Sequence, residues 1–417
     1  MKTLAAVLLL VSSVCGVGVG VGTADTIAIT GATVYPKPDT KLEDATVVIR
    51  DGKIVDVGKV GNVAIPAGAK VIDGKGKTVT AGLVEASSQL GLIEIDLEAS
   101  GNDGRFGTER TEVHAAYRAS DAFDGRSVAI PIARGGGVTS AVVGPRGALI
   151  AGQAAWVSLS TNAIAPVKNT VAMQAALGRG ASAMGSRGYA IERLRELFDD
   201  VDAYRKNRAG FDRNQSRRLI ANRLDLEALI PVLDGRTLLV IGVDAEVDIR
   251  AALAIAAERR LKIAIAGGDE AWRVAKELAA AKVAVMLDPT SNLPGNLAAA
   301  DVRDDNATIL AKAGVRVAIS TLGGTSMTRT IRQLAGIAVA NGLSWADGLA
   351  SITTVPAKLY GVDRGTLARG AVADVVVWSG DPLELSTRAE TVIIGGVVQS
   401  LESHQTRLRD RYRTLPK

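Results

Sequence analysis

From residue 83 to residue 320, short apolar runs alternate with helix-patterned segments, and this alternation constrains the fold more than any other feature. The runs fall at 83–86, 139–143, 154–159, 238–243, 262–266, 283–287 and 317–320. Between the later ones, 247–258 and 270–281 carry apolar residues at helical spacing. Strands separated by helices pair in parallel, because the helix returns the chain to the same end of the sheet. Their number and the segment length favour an α/β fold closed as a (β/α)8 TIM barrel over an open sheet. Aromatic residues make up only 3% of the 417 residues, so the core must come from Ala, Val, Leu and Ile. Such a core suits buried parallel strands.

The two ends of the chain carry strands without helices. Runs at 27–33, 45–50, 53–57 and 70–72 are rich in β-branched residues, with Asp51-Gly52 and Asp73-Gly74 as hairpin turns. Runs at 373–378 and 391–394 lead to Gly395-Gly396 and then Val397-Val398. Neither end is large enough to bury a core alone. The expectation is one small β-sandwich domain built from 25–80 plus 363–400, flanking a barrel of 81–362. Residues 189–233 are helical and charged, with Arg193, Arg195, Arg205, Lys206, Arg208, Arg213, Arg217 and Arg218 set among Glu192, Glu196, Asp199 and Asp200. They read as a solvated helical insertion, and 401–417 as a polar tail.

The 49 basic and 44 acidic residues are interspersed and leave a net charge of +5, which gives no case for a nucleic-acid partner. Residues 1–24 read as a signal peptide: Lys2, an apolar run at 4–11, and small residues Gly22-Thr23-Ala24 at a cleavage site. Export is expected, to the periplasm of a Gram-negative source, with no transmembrane segment in the mature chain because the apolar run is too short. Cys15, the one cysteine, would leave with this segment, so no disulfide or thiol nucleophile is expected. A lipid-modified Cys15 fits less well, since Val14 precedes it where a small residue is usual.

Several blocks resemble the imidazolonepropionase-like branch of the amidohydrolase superfamily. Thr80-Ala81-Gly82-Leu83-Val84-Glu85-Ala86-Ser87-Ser88-Gln89 resembles that family's first barrel strand, usually Pro-Gly-Leu-Ile-Asp-x-His-x-His. Ile29 to Tyr35 and Ile49 to Ile54 match its opening strands, and Arg134-Gly135-Gly136-Gly137-Val138-Thr139 its second strand junction. Ile150-Ala151-Gly152-Gln153 resembles the loop beyond it. The most specific block runs from Asn341-Gly342-Leu343-Ser344 through Thr353-Thr354-Val355-Pro356-Ala357 to Gly365–Val377, then Asp381-Pro382-Leu383 and Val392 to Gly396. The order and spacing of these blocks cover nearly the whole mature chain and imply the barrel with its β-domain.

The resemblance also implies one or two divalent metals at the C-terminal mouth of the barrel, held by a His-x-His pair, two later histidines and a last-strand Asp. In this chain Ser87 and Gln89 stand at the pair. Gly242, Val243 and Asp244 stand at the fifth-strand histidine, Ala266-Gly267 at the sixth, and Leu322 follows Ser320-Thr321 where the Asp is usual. The whole chain has two histidines, too few to assemble the set. No metal and no cofactor is expected.

The candidate pocket is Ser87, Ser88, Gln89, Asp244, Asp269 and Thr321. The serines and Gln89 are expected to fill a vacated cavity with hydrogen-bonding groups, since no histidine completes a nucleophilic triad. Glu85, Glu94, Asp96, Asp244, Asp269 and Asp288 offer oxygens to a hard cation or an amine, four of them near strand ends. His114 reads as a loop histidine, and His404 as part of the tail. Residues 144–147 and 323–326 read as strand-to-helix turns, with Arg146 and Arg329 expected in surface ion pairs, the alternative being that they meet an anion at the barrel mouth. Three functions are consistent with this pattern. The first is non-hydrolytic binding of a small-molecule or peptide ligand, or partnership with an active homologue. The second is hydrolysis of a C–N bond, in a cyclic amide or dipeptide, through a non-standard site. The third is a structural subunit of a homo- or hetero-oligomer.

Overall fold

Sixteen strands form two sheets of eight in the computed structural model, which describes residues 26–106, 112–161, 163, 165–178, 186–294 and 300–413. The expected signal peptide and Cys15 lie outside the described residues. In chain order the strands are β1 Ile27–Lys37, β2 Thr40–Arg50, β3 Lys53–Lys59, β4 Lys70–Asp73 and β5 Thr78–Ala81. Then come β6 Leu83–Ser88, β7 Val138–Val143, β8 Ile150–Ser158, β9 Lys168–Ala176, β10 Leu238–Val243, β11 Ile263–Gly267, β12 Ala284–Leu287 and β13 Val317–Ile319. The last are β14 Val375–Trp378, β15 Ala389–Ile394 and β16 Val397–Val398.

The two chain ends share the first sheet, in the order β16-β15-β14-β5-β1-β2-β3, with β4 paired to β1. The ends meet where β14 runs antiparallel to β5, Val377 opposite Val79. Ile29, Val34, Val47, Ile49, Val375 and Ile393 pack into its core. Asp51 and Gly52 both take positive φ (54° and 74°), as a tight hairpin between right-twisted strands requires. Trp378 ties this sheet to the barrel. Its indole N–H donates to Thr80 Oγ1 at 2.9 Å. Its ring lies against Gly137, where an added Cβ would come within 2.2 Å.

The second sheet is the barrel, ordered β6 to β13 around the wall. Strands β9 to β13 pair in parallel, as do β6 and β7. The run at 154–159 departs from the expected all-parallel order: it belongs to β8, which is antiparallel to both β7 and β9. The reason is the connection. Residues 144–149 alone join β7 to β8, and a parallel crossover needs about a dozen residues or more. The wall closes just past the strand ends, where Gly323 N–H donates to Ser87 O at 3.0 Å. Inside, Ala86, Ala154, Ala172, Ala264, Ala284 and Ala318 leave room for two large rings, Trp156 and Tyr360. Tyr360 follows the helix Thr354–Leu359 and donates its hydroxyl to Ala86 O at 2.8 Å.

Between β9 and β10 the expected insertion forms three helices, Arg187–Lys206, Arg208–Asp212 and Arg223–Leu233. It is less solvated than its charge suggests. Leu194, Leu197, Phe198, Val201 and Tyr204 pack with Leu226, Leu229 and Val232 into the main core, while Arg195 pairs outward with Glu258. The tail also gains structure: Ser403 caps a helix, His404–Tyr412, through a reciprocal bond pair with Thr406. No helix among the described residues is long and apolar enough to cross a membrane.

Candidate functional site

Because β8 turns back, the β7–β8 turn stands at the C-terminal mouth of the barrel, where strand ends build sites in this fold. The turn carries Arg146. Its Nη2 donates to Ser87 Oγ at 2.9 Å, and its Nη1 donates to the carbonyl of Leu322. One guanidinium thus joins the end of β6 to the segment after β13, across the barrel seam. Gly323 is required beside it: φ is +107° and an added Cβ would lie 2.9 Å from the Arg146 Cζ. Leu322 itself holds φ at +48°, a left-handed conformation that costs a branched residue energy and persists only when fixed by its surroundings. Here its N–H donates to Ser320 Oγ at 3.1 Å and its carbonyl accepts from Arg146.

Beneath the guanidinium lies Glu85, fully buried. Ser87 N–H donates to it at 3.1 Å, Thr321 N–H at 3.2 Å and Thr321 Oγ1 at 2.8 Å, and the Ser320 hydroxyl donates as well. Burial pushes the Glu85 carboxyl above its ordinary range, and these four donors pull it back. Burial likewise pulls Arg146 down, and the charge of Glu85 opposes that. A buried acid and a partly buried base are thus linked through Ser87, whose amide serves Glu85 and whose hydroxyl accepts from Arg146.

A cavity of about 240 Å³ opens against Arg146. Its other polar side chains are Gln174 from β9 and Asp244 from just past β10, and its walls include Ala148, Ala175, Ala266 and Leu322. Asp244 packs against Gly267, whose φ is +100° and where a Cβ would fall 2.1 Å from Asp244 Oδ1. Burial raises the Asp244 carboxyl; the Gly268 amide lowers it, and Asp248 raises it further. Asp269, after β11, is pushed up to about 7 by burial and then by the charges of Asp244, Asp288 and Glu270.

The expected pocket residues separate into three groups. Asp244 lines the cavity, with Asp269 electrostatically coupled to it. Ser87 and Thr321 hold Arg146 and Glu85. Ser88 and Gln89 point elsewhere. Ser88 Oγ accepts from Leu90 N–H at 2.8 Å, while Gln89 donates to Gly104 O and accepts from Arg105 Nε. The other acids are also engaged: Glu94 by the Val128 amide, Asp96 by Arg105, Asp288 by Thr290. His114 stacks on Phe106 at 3.8 Å with planes 6° apart, in the loop that crosses the β7–β8 turn.

Two expectations are corrected. Residues 144–147 form a strand-to-strand turn, because β8 and not a helix follows them. Arg146 bonds Ser87 and Leu322 at the mouth, the alternative to the surface ion pair expected first. Gln174 was missed altogether. It is a polar residue in a strand, 8% exposed, and its amide makes no hydrogen bond with any described residue.

Comparison with known proteins fits this geometry. Residues 244–399 match the sequence model of the Amidohydrolase family. An amidohydrolase from Thermotoga maritima MSB8 is 27% identical, covering 89% of this chain and 99% of its own, with a TM-score of 0.80. Molinate hydrolase is 16% identical over 95% and 98% of the two chains, with a TM-score of 0.57. A beta-aspartyl dipeptidase from Fervidobacterium islandicum AW-1 is 13% identical over 91% and 98%, with a TM-score of 0.55. The last two show the fold alone. No curated protein matches the chain. The chain is thus similar to amidohydrolases in fold, and its segment 244–399 matches their family by sequence.

Proposed function

We propose that this is an exported, non-hydrolytic amidohydrolase-fold protein that binds a small molecule at the barrel mouth. One observation carries the reading: the Arg146 guanidinium bridges Ser87 and Leu322, two of the positions where the family resemblance places metal ligands. A fixed cation there supplies positive charge from the chain itself. The donors that remain do not fit a metal centre. Ser87 Oγ is engaged by Arg146, the Gln89 amide oxygen accepts from Arg105, and Gly242, Ala266 and Leu322 have no side-chain donor. Among the described residues no three His, Cys, Asp or Glu side chains are gathered to hold an ion. No step is therefore routed through a metal.

Turnover assays on the purified mature chain, with cyclic amides and dipeptides and with zinc supplied, test the reading. No turnover is expected; zinc-dependent hydrolysis contradicts it. Export rests on the Lys2 start and the apolar run at 4–11, and cell fractionation checks it.

A second reading, C–N bond hydrolysis through a non-standard site, is favoured by Asp269. A carboxyl pushed up to about 7 and coupled to Asp244, which lines the cavity, is matched to general-base work at neutral pH. If a hydrolytic activity is found and Asp269→Asn abolishes it while leaving the fold intact, this second reading replaces the first.

A further inference from the structure

We infer that the cavity beside Arg146 takes a small zwitterion, a free amino acid or short unblocked peptide, with its carboxylate at Arg146 and Gln174 and its ammonium at Asp244. The inference rests on the ligand-binding reading above and specifies its ligand.

Three polar groups face this cavity, and their hydrogen-bonding capacity is not used up by the protein. Gln174 is 8% exposed and its amide bonds to no described residue. Its amide atoms open onto the cavity, where they present a donor and an acceptor to an occupant. Gln174 arrives on β9 with its neighbours Ala175 and Ala176 also on the cavity wall, so only this side chain offers hydrogen bonds from that strand. Asp244 accepts no side-chain hydrogen bond and joins no ion pair with a described residue, although it is held half-buried against Gly267. An ammonium group is what such a carboxylate lacks. Arg146 lines the same space. It has five N–H donors in a planar fork, and the protein engages Nη1 and Nη2 once each. A carboxylate complements what remains of that fork.

Arg146 and Asp244 do not pair with each other, although both line the cavity. Two opposite charges lining one open cavity suit a dipolar occupant better than a singly charged one. Size narrows the class. About 240 Å³ lies below the roughly 300–1,000 Å³ of drug-sized pockets. Alanine and leucine walls accept a short apolar body between the charged ends.

The test is titration calorimetry on the purified mature chain with free L-amino acids and unblocked dipeptides, each beside its N-acetylated and C-amidated form. At least one free zwitterion is expected to bind, with both blocked forms about tenfold weaker or worse. Asp244→Asn, which keeps the shape, is expected to bring the free compound down to the affinity of its N-acetyl form and to leave that form unchanged. Gln174→Leu is expected to weaken the free compound and its N-acetyl form equally. Binding of blocked and free forms with equal affinity overturns the inference, as does Asp244→Asn without effect, or a panel with no binder. If a neutral compound binds instead and is not cleaved, the zwitterion falls and the ligand-binding reading stands. If a zwitterion binds and is cleaved, the ligand class stands and the non-hydrolytic reading falls.

Discussion

The barrel has two unlike halves. From β9 to β13 it is regular: parallel strands separated by helices deliver Asp244, Asp269 and Asp288 to the mouth. From β6 to β9 it is irregular: β8 runs backwards, and the turn before it delivers Arg146. One half therefore supplies three acids, and the other a single cation set over the buried Glu85. The lesson is that reversing one strand changes what reaches the mouth. A parallel strand leads from the mouth into a helix that leaves it, whereas an antiparallel return places a tight turn over it.

Removing the cation should have the largest effect. Arg146→Met leaves the Ser87 hydroxyl, the Leu322 carbonyl and the buried Glu85 without it. A loss of about 3–5 kcal/mol is expected in urea unfolding, from two hydrogen bonds made by a charged group at about 1.5–3 kcal/mol each. A loss below about 1 kcal/mol, the range of an exposed ion pair, would erase the distinction between the halves.

Gly267→Ala attacks the regular half. The added methyl meets Asp244 at a φ of +100°, so both the backbone and the acid must shift. About 1–3 kcal/mol should be lost, read as a lower unfolding midpoint. Arg146 should keep its bonds, since Gly267 does not touch it.

The acidic half should also show itself in pH dependence. Asp269 is pushed up to about 7 when folded, against about 3.9 for a free aspartate. Between those values the folded chain binds the extra proton, so its stability falls as pH rises from about 4 through about 7. Asp269→Asn should flatten that fall, raising stability at pH 8 relative to pH 5 when the two proteins are compared by denaturant unfolding. An unchanged profile would place Asp269 outside the coupled cluster.

The smallest effect lies outside both halves. Arg195→Ala removes a 2.8 Å pair with Glu258 on the face of the insertion, where both side chains are more than two-fifths exposed. Less than about 1 kcal/mol should follow, by the same unfolding measurement.

Strands β10 to β13 were legible in the sequence because they are apolar runs separated by helix-patterned segments, and direction follows from the crossover. β8 is as apolar as its neighbours, and apolarity carries no direction. The signal was the short link at 144–149, which the run lengths contained and the alternation obscured. β9 was not anticipated because it opens on Lys168, Asn169 and Thr170, all exposed. Gln174 was not placed, and Arg146 was left between the surface and the mouth, for a related reason: whether a turn arginine or a strand glutamine faces water or the mouth depends on a strand direction not yet known. The family blocks located Ser87 and Leu322 correctly at the mouth, but not the side chain that joins them.

The central claim is that a guanidinium from the chain holds the barrel mouth, with no donor set left there for a metal. Elemental analysis by plasma mass spectrometry tests it most directly, on mature protein produced with added zinc and purified without chelator. The account predicts no stoichiometric zinc, iron, manganese or other divalent transition metal in the wild-type protein. One or more equivalents of such a metal per chain, retained through gel filtration, would contradict it.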